Sequence, residues 1–287
     1  MSGFFSRISD AFQQIGASVR SEVGGGVGDD TETGTPGNDR MFGGTGDDTL
    51  SPTGAGNDLA VGGVGDDSIT GGIGLDVLAG NAGDDVILST EGVGGVTLMF
   101  GGDGRDRIVA GMGDNVMFGG GGDDSLIGGG GFLDIAVGGD GNDILNTGTG
   151  VGVHIGGAGS DLFAIGPEIA NNGRADVIVA LDFAPGTDRV QIDPAVVSRI
   201  VSIEDRAFDF DGVIELLRQH GVFSGDVASR VADAGEAPVT DQLAVLLAPE
   251  RASSTGVAVA NGAVATTAEG DLLFFAGLTA AQLDQLI

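Results

Sequence analysis

Aspartate is the residue type in this chain that could do chemistry, and its spacing is regular. Five stretches align without gaps: Gly25–Thr33 (GGVGDDTET), Gly43–Ser51 (GGTGDDTLS), Gly62–Thr70 (GGVGDDSIT), Gly119–Ile127 (GGGGDDSLI) and Gly138–Asn146 (GGDGNDILN). The shared pattern is G-G-x-G-x-D-x-U-x, with U a large apolar residue in all but the first, where Glu32 stands. The first six residues turn the chain, since Gly adopts positive φ without a steric penalty. The sixth residue aims a carboxylate into that turn. The last three residues form a short strand, whose eighth position points inward and whose seventh and ninth point outward. With two nonamers per coil, every frame stacks on the next but one. Carboxylates then line each edge, ~4.8 Å apart. Such a row repels itself unless a hard cation seeking 6–8 oxygens sits between turns, held by two Asp and several backbone carbonyls.

Parity separates the two edges. The half-coil Ser89–Phe100 is irregular and is counted as one frame. The odd frames then begin at Gly25, Gly43, Gly62, Gly80, Gly101, Gly119, Gly138 and Gly156, with Asp30, Asp48, Asp67, Asp85, Asp106, Asp124, Asp143 and Asp161 at the sixth position. The even frames begin at Gly34, Thr53, Gly71, Ser89, Ala110, Gly129 and Thr147, with Asp39, Asp58, Asp76, Gly94, Asn115, Asp134 and Gly152 there. One edge is a complete carboxylate row and the other is eroded.

The nonamers resemble the RTX (repeats-in-toxin) family of type I-secreted bacterial proteins over about half the chain. The resemblance implies an all-β fold, a right-handed parallel β-roll, with calcium as the cation. Eight stacked odd turns give seven inter-turn calcium positions. Asp39/Asp58 and Asp58/Asp76 give two more on the even edge. Asp134 is a ligand candidate at the same edge. The segment from Asp161 (SDLFAIGPEIANNGRADVIVALDFAPGTDRVQID) resembles the stretch that closes such rolls, and Asp284-Gln285-Leu286-Ile287 resembles the ending of an uncleaved type I secretion signal.

The elements that must position these turns follow. Residues 1–24 carry Phe4, Phe5, Ile8, Phe12, Ile15 and Val19 at helical spacing, so an amphipathic helix is expected there rather than a cleavable secretory signal. Residues 25–164 form the roll and 165–287 a mixed α/β cap. The inward row is Met41, Leu50, Ile69, Leu78, Ile87, Ile108, Met117, Leu126, Leu145 and Phe163. Glu32 interrupts it and reads as a frayed first frame, and His154 reads as a core histidine rather than a ligand. Outward positions of the even strands are apolar: Phe42, Leu59, Val61, Val77, Ala79, Val116, Phe118, Ile135, Val137, Val153 and Ile155. A patch of that size seldom faces water. It is covered either by the rest of this chain or by other copies. In the cap, Asp176–Leu181 and Asp188–Ile192 alternate as strands around a Pro185-Gly186 turn. Residues 263–267 and 271–276 read as a strand pair. Gly212–His220, Asp226–Ala232, Thr240–Leu247 and Thr279–Ile287 read as helices.

Composition closes off several functions. The 287 residues include 57 Gly, 42 Asp or Glu and 12 basic residues, all Arg, for a net charge of −30. A chain so acidic repels nucleic acid. No Cys is present for disulfides or thiol chemistry, no Lys for a Schiff base or acylation, and no apolar run of 18 residues for a membrane span. Two His without HExxH exclude that zinc-protease motif, and no GxSxG appears. The expectation is a non-enzymatic, secreted calcium-binding protein, extracellular or at the cell surface. It folds on extracellular calcium and self-assembles into a surface layer, filament or biofilm matrix, as a homo-oligomer or polymer exported by a type I apparatus. The alternative is a calcium-dependent adhesin or ligand-binding module.

Overall fold

The computed structural model describes residues 21–52, 54–90, 96–131, 133–170, 176–208 and 260–287. The expected helix within residues 1–24 lies almost wholly outside them, as do Gly212–His220, Asp226–Ala232 and Thr240–Leu247. Ser21–Val27, at the end of the first of these stretches, is a strand.

Among the described residues two sheets, parallel within the roll, face each other and stack one coil upon the next. The first has 13 strands, including antiparallel ones at its end, and the second nine. The odd frames supply the second sheet with strands of three or four residues, from Thr31–Thr33 to Leu162–Ile165. Even strands are longer. Asp39–Thr45 and Asp114–Gly121 run from the sixth and the fifth residue of an even frame, respectively, through the Gly pair of the following odd frame. The backbone leaves this sheet through Gly with positive φ at the second and fourth frame positions, as at Gly120 (117°) and Gly122 (126°). One second position is Asn81, with φ 81°, a conformation that Asn adopts more readily than most side chains.

Register follows from stacking like on like. Ile108 pairs with Ile87 and Leu126, and Met117 with Met99 and Ala136. The inward row forms one continuous core from Met41 to Leu145, fully removed from solvent. Each such side chain contributes about 1.5–3 kcal/mol when buried. Glu32 is not frayed: it pairs in register with Leu50 and is buried, with Oε2 lacking a hydrogen-bond partner. His154 is buried between Ala136 and Ala180, small neighbours in register that leave room for an imidazole. Burial pushes its pKa down to about 4, so it is neutral in the core.

The even frame at Ser89–Phe100 requires a correction. Asp76 pairs with Thr97, and Thr97 with Asn115. Thr97, not Gly94, therefore stands at the sixth position, and Gly94 lies outside the described residues. The extra residues of this half-coil enter before the turn is completed, which shifts the frame by three. The shift also brings Leu98 and Phe100 onto the outward row, where Phe100 stacks on Phe118 at 5.2 Å.

Val77, Leu98, Val116, Phe118, Ile135, Val137 and Val153 on that row are buried within the single chain, at 0–7% exposure. Phe42, Leu59 and Val61, in the first coils, are half-buried. The later part of the apolar stripe is therefore covered by the chain's own residues.

Parallel pairing continues past Ala164. Val177–Ala180 joins the first sheet and Arg189–Ile192 the second, so these two strands add another coil instead of pairing with each other. The turn between them includes Gly186 at φ 91°. Leu272–Ala276 then pairs in parallel with Val177–Ala180 and antiparallel with Ala260–Thr267, which pairs with Ile200–Phe208. This antiparallel addition covers the end of the first sheet, where unpaired strand edges would otherwise remain. The helix Ala280–Leu286 begins with a capping box between Thr279 and Gln282 and buries Leu283 in the cap core.

Candidate metal centre

The odd-edge carboxylates are joined turn to turn. The backbone N–H of Asp30 donates to Asp48 Oδ1 at 2.8 Å, and the same bond recurs from Asp48 to Asp67, Asp67 to Asp85, Asp85 to Asp106, Asp106 to Asp124, Asp124 to Asp143 and Asp143 to Asp161, at 2.7–3.0 Å. Each carboxylate from Asp48 onward thus reaches back to the preceding turn with one oxygen. The other oxygen is left over. Oδ2 of Asp30, Asp48, Asp67, Asp85, Asp106, Asp124 and Asp143 is buried and lacks a hydrogen-bond partner. A buried polar atom without a partner carries a desolvation penalty of about 1–3 kcal/mol, more for a charged one. A row of them calls for a compensating charge.

Backbone oxygens converge on the same places. A Cβ added to Gly25 would lie 2.6 Å from both Asp30 Oδ2 and the carbonyl oxygen of Gly43 in the next turn. Cβ atoms at Gly43, Gly101, Gly119 and Gly138 would likewise collide with the orphaned carboxylate of their own turn and a carbonyl of the next. The first Gly of the frame keeps this cradle open. Carboxylate and carbonyl oxygens together suit a hard cation such as calcium. The residues fit it without a third carboxylate. Among the described residues no group of three or more His, Cys, Asp or Glu could hold a metal ion.

Burial and mutual repulsion raise the carboxyl pKa values. Desolvation, with neighbouring carboxylates adding to it, pushes Asp67 and Asp106 up to about 6, Asp85 and Asp143 to about 7 and Asp124 to about 8. Asp161 is raised for the same reasons. Without a cation, these groups keep their protons to higher pH than an ordinary carboxyl, and a bound cation would favour the ionised form.

The even edge begins in the same way. Asp39 N–H donates to Asp58 Oδ1 at 2.8 Å and Asp58 N–H to Asp76 Oδ1 at 2.9 Å. Oδ2 of Asp58 and Asp76 is buried and unpartnered, and desolvation pushes these pKa values to about 6 and about 7. Asp39 differs, because both its oxygens accept bonds from Thr35. Beyond Asp76 the pattern changes. Thr97 Oγ1 meets Ser89 Oγ at 3.1 Å. Asp134 is fully occupied: Oδ1 accepts from Asn115 Nδ2 at 2.9 Å and Oδ2 from the Gly129 N–H at 2.8 Å. Asp134 stands in the row but without the free oxygen that Asp58 and Asp76 present.

Three features escaped the sequence reading. The first is a second row at the fifth frame position, running the opposite way. The N–H groups of Asp47, Asp66 and Asp84 donate to Oδ1 of Asp29, Asp47 and Asp66 in the preceding turn. Arg105 interrupts this exposed row and pairs with Asp84 at 2.8 Å. The doubled Asp-Asp in several frames was the available signal. The second is Asp188, whose Oδ1 accepts the Asp161 N–H at 3.1 Å and extends the odd row by one turn. Gly186-Thr187-Asp188-Arg189-Val190 repeats the G-x-D-x-U half of the frame without its leading Gly pair. The third is the pairing of Asp176 N–H with Asp271 Oδ1 at 2.9 Å, which links residues 95 apart and had no local signal.

A family model for the RTX calcium-binding nonapeptide repeat, described in four copies, matches residues 24–51, 52–87 and 100–132. No curated protein and no solved structure matches the chain. Among the described residues no helix is long and apolar enough to cross a membrane. The motif, the stacked turns and the family match agree: within residues 24–132 this chain carries several copies of the RTX calcium-binding nonapeptide repeat.

Proposed function

We propose that this is a secreted structural protein whose roll is folded by calcium outside the cell and which then assembles with other copies. The observation that carries the reading is the set of nine buried, unpartnered Oδ2 atoms in register, seven on the odd edge and two on the even edge. In this reading Asp30, Asp48, Asp67, Asp85, Asp106, Asp124, Asp143 and Asp161 hold seven calcium ions between odd turns. Asp39, Asp58 and Asp76 hold two more. The unfolded chain has no preformed site, so binding free energy becomes folding free energy. At low free calcium a chain of net charge −30 with 57 Gly stays expanded, which suits export as a flexible polymer.

The assembly part rests on a different surface from the stripe considered first, because the stripe is buried from Val77 to Val153. The outward rows of the nine-stranded sheet carry no Asp or Glu. They run from Thr31, Thr49 and Ser68 through Val86 and Leu88 to Val109 and Ile127. On so acidic a molecule, a carboxylate-free face is where like-charged copies can approach.

The test is a calcium titration from a chelated start, followed by circular dichroism and light scattering. A coil-to-β transition with growth to large particles is expected. A transition that stops at a monomer would favour the adhesin or ligand-binding reading. The absence of any transition would remove the calcium reading itself.

A further inference from the structure

We infer that the side-chain amide of Asn115 serves as a built-in substitute for one calcium ion on the even edge. Asn115 occupies the sixth frame position, between Thr97 and Asp134 in register. Its Nδ2 lies 2.7 Å from the carbonyl oxygen of Gly113, 2.9 Å from Asp134 Oδ1 and 3.4 Å from the carbonyl oxygen of Gly111. These are the kinds of oxygen that a cation between two turns would take: carbonyls of the turn itself and a carboxylate of the turn stacked on it. The side chain is fully buried. The opposite amide orientation would set Oδ1 against three oxygens, so the chemistry of the site selects the nitrogen. With Nδ2 so engaged, Oδ1 is left buried and without a hydrogen-bond partner. The backbone hydrogen bond from Asn115 to Asp134 keeps the link of the carboxylate rows. The turn therefore retains the architecture of a metal turn and replaces the ion's positive charge with two N–H donors. Asp134, which would carry a free oxygen in a metal turn, is neutralised by Asn115 and the Gly129 N–H instead.

The even edge from Thr97 to Gly152 closes without calcium, under the stretch of outer face that the chain itself covers. That part of the roll can hold its shape at calcium concentrations that leave the odd edge unfilled.

This deepens the calcium reading and rests on it. The experiment is to count bound calcium by calorimetry on the full chain, for the wild type, Asn115→Asp and Asn115→Ala. Thermal midpoints are then recorded in limiting and saturating calcium. Asn115→Asp should bind one more calcium than the wild type, and the gap between its two midpoints should widen. Asn115→Ala should bind the wild-type number and lose stability equally in both conditions. For Asn115→Asp, an unchanged count, or a loss of stability that saturating calcium does not restore, would overturn the inference while the wild-type count leaves the calcium reading standing. A wild type that takes up no calcium would take down both.

Discussion

The two edges of the roll share one backbone plan and solve its electrostatic problem in different ways. The odd edge repeats Asp at every sixth position from Asp30 to Asp161 and leaves an oxygen orphaned on seven of them. It is a structure that needs cations. The even edge does the same only as far as Asp76 and then turns to hydroxyl, amide and glycine at Thr97, Asn115 and Gly152. There both oxygens of Asp134 find their partners within the protein. A repeat is thus a geometry before it is a metal site. The metal is required only where the sixth residue brings in a charge that the turn cannot neutralise.

The largest contrast is expected from removing one carboxylate at each edge. Asp124→Ala takes a candidate ligand from the ions on both sides of its turn. It should lower the calcium count by about one to two and shift folding to higher calcium, because those sites contribute folding free energy. Asp134→Ala should leave the calcium count alone. It should cost roughly 1–3 kcal/mol by stranding the Asn115 amide and the Gly129 N–H without acceptors. Calorimetric counts with denaturant midpoints measure both. Equal calcium dependence in the two variants would erase the distinction between the edges.

Glycine substitutions sharpen the same comparison at the backbone. Gly138→Ala would push a methyl into Asp143 Oδ2 and the Gly156 carbonyl, filling the cradle where the cation is proposed to sit. It should raise the calcium concentration needed for folding by about tenfold or more, the equivalent of at least ~1.4 kcal/mol. Gly130→Ala, on the even edge, meets nothing closer than 3.7 Å, and its φ is outside the left-handed region. Its folding curve should overlay that of the wild type, and a comparable shift there would show that the cradle is not special to the odd edge.

Acid should partly replace calcium, and the sign can be worked out. In the calcium-free fold Asp85 and Asp143 titrate at about 7 and Asp124 at about 8, raised by desolvation above an ordinary value of 3.8. Between those limits the folded chain binds more protons than the unfolded one, so its stability falls as pH rises from about 4 to 8. His154, held near 4 by burial, works in the opposite sense between about 4 and 6.5, but it is one group against many. In chelator, the β signal in circular dichroism should be stronger at pH 5 than at pH 8. In saturating calcium the difference should shrink. More structure at pH 8 than at pH 5 without metal would contradict the desolvated carboxylate row.

Much of this was legible in the sequence because a repeat averages out local ambiguity. The inward row from Met41 to Phe163 could be read from one strand and carried to the next, and the structure buries all of it. The misreadings arose where periodicity failed. Ser89–Phe100 has extra residues, and pattern alone could not say whether they enter before or after the sixth position; pairing of Thr97 with Asp76 and Asn115 decides it. Glu32 looked like a frayed end because a carboxylate is costly at an inward site, yet stacking on Leu50 holds it in register. Asp188 was hidden because its frame lacks the leading glycines, and Asp271 because its partner Asp176 is distant in the chain. Whether the apolar stripe was covered by its own chain was a tertiary question, which no strand-level pattern answers.

The smallest effect is expected outside both buried rows, at the fifth frame positions of the odd edge. There Asp29, Asp47, Asp66, Asp84 and Asp123 are exposed, and Arg105 is the one cation in the row. Hydrogen bonds from Arg105 to Asp84 and from Asn142 to Asp123 hold both carboxyls below the ordinary range, and the Arg105 charge adds a smaller lowering to each. Exposed ion pairs contribute little to stability, because water and salt screen them and two long side chains must be held still. Arg105→Ala should therefore leave the thermal midpoint in saturating calcium within experimental scatter at physiological ionic strength. At low ionic strength the Debye length grows from ~8 Å to ~30 Å, and the row then feels its own repulsion across several turns. A lowered midpoint should appear there and fade as salt is added. A salt-independent loss would mean that Arg105 acts through the buried Asp106 beside it, and the separation between a buried, cation-demanding row and an exposed, self-screened one would have to be given up.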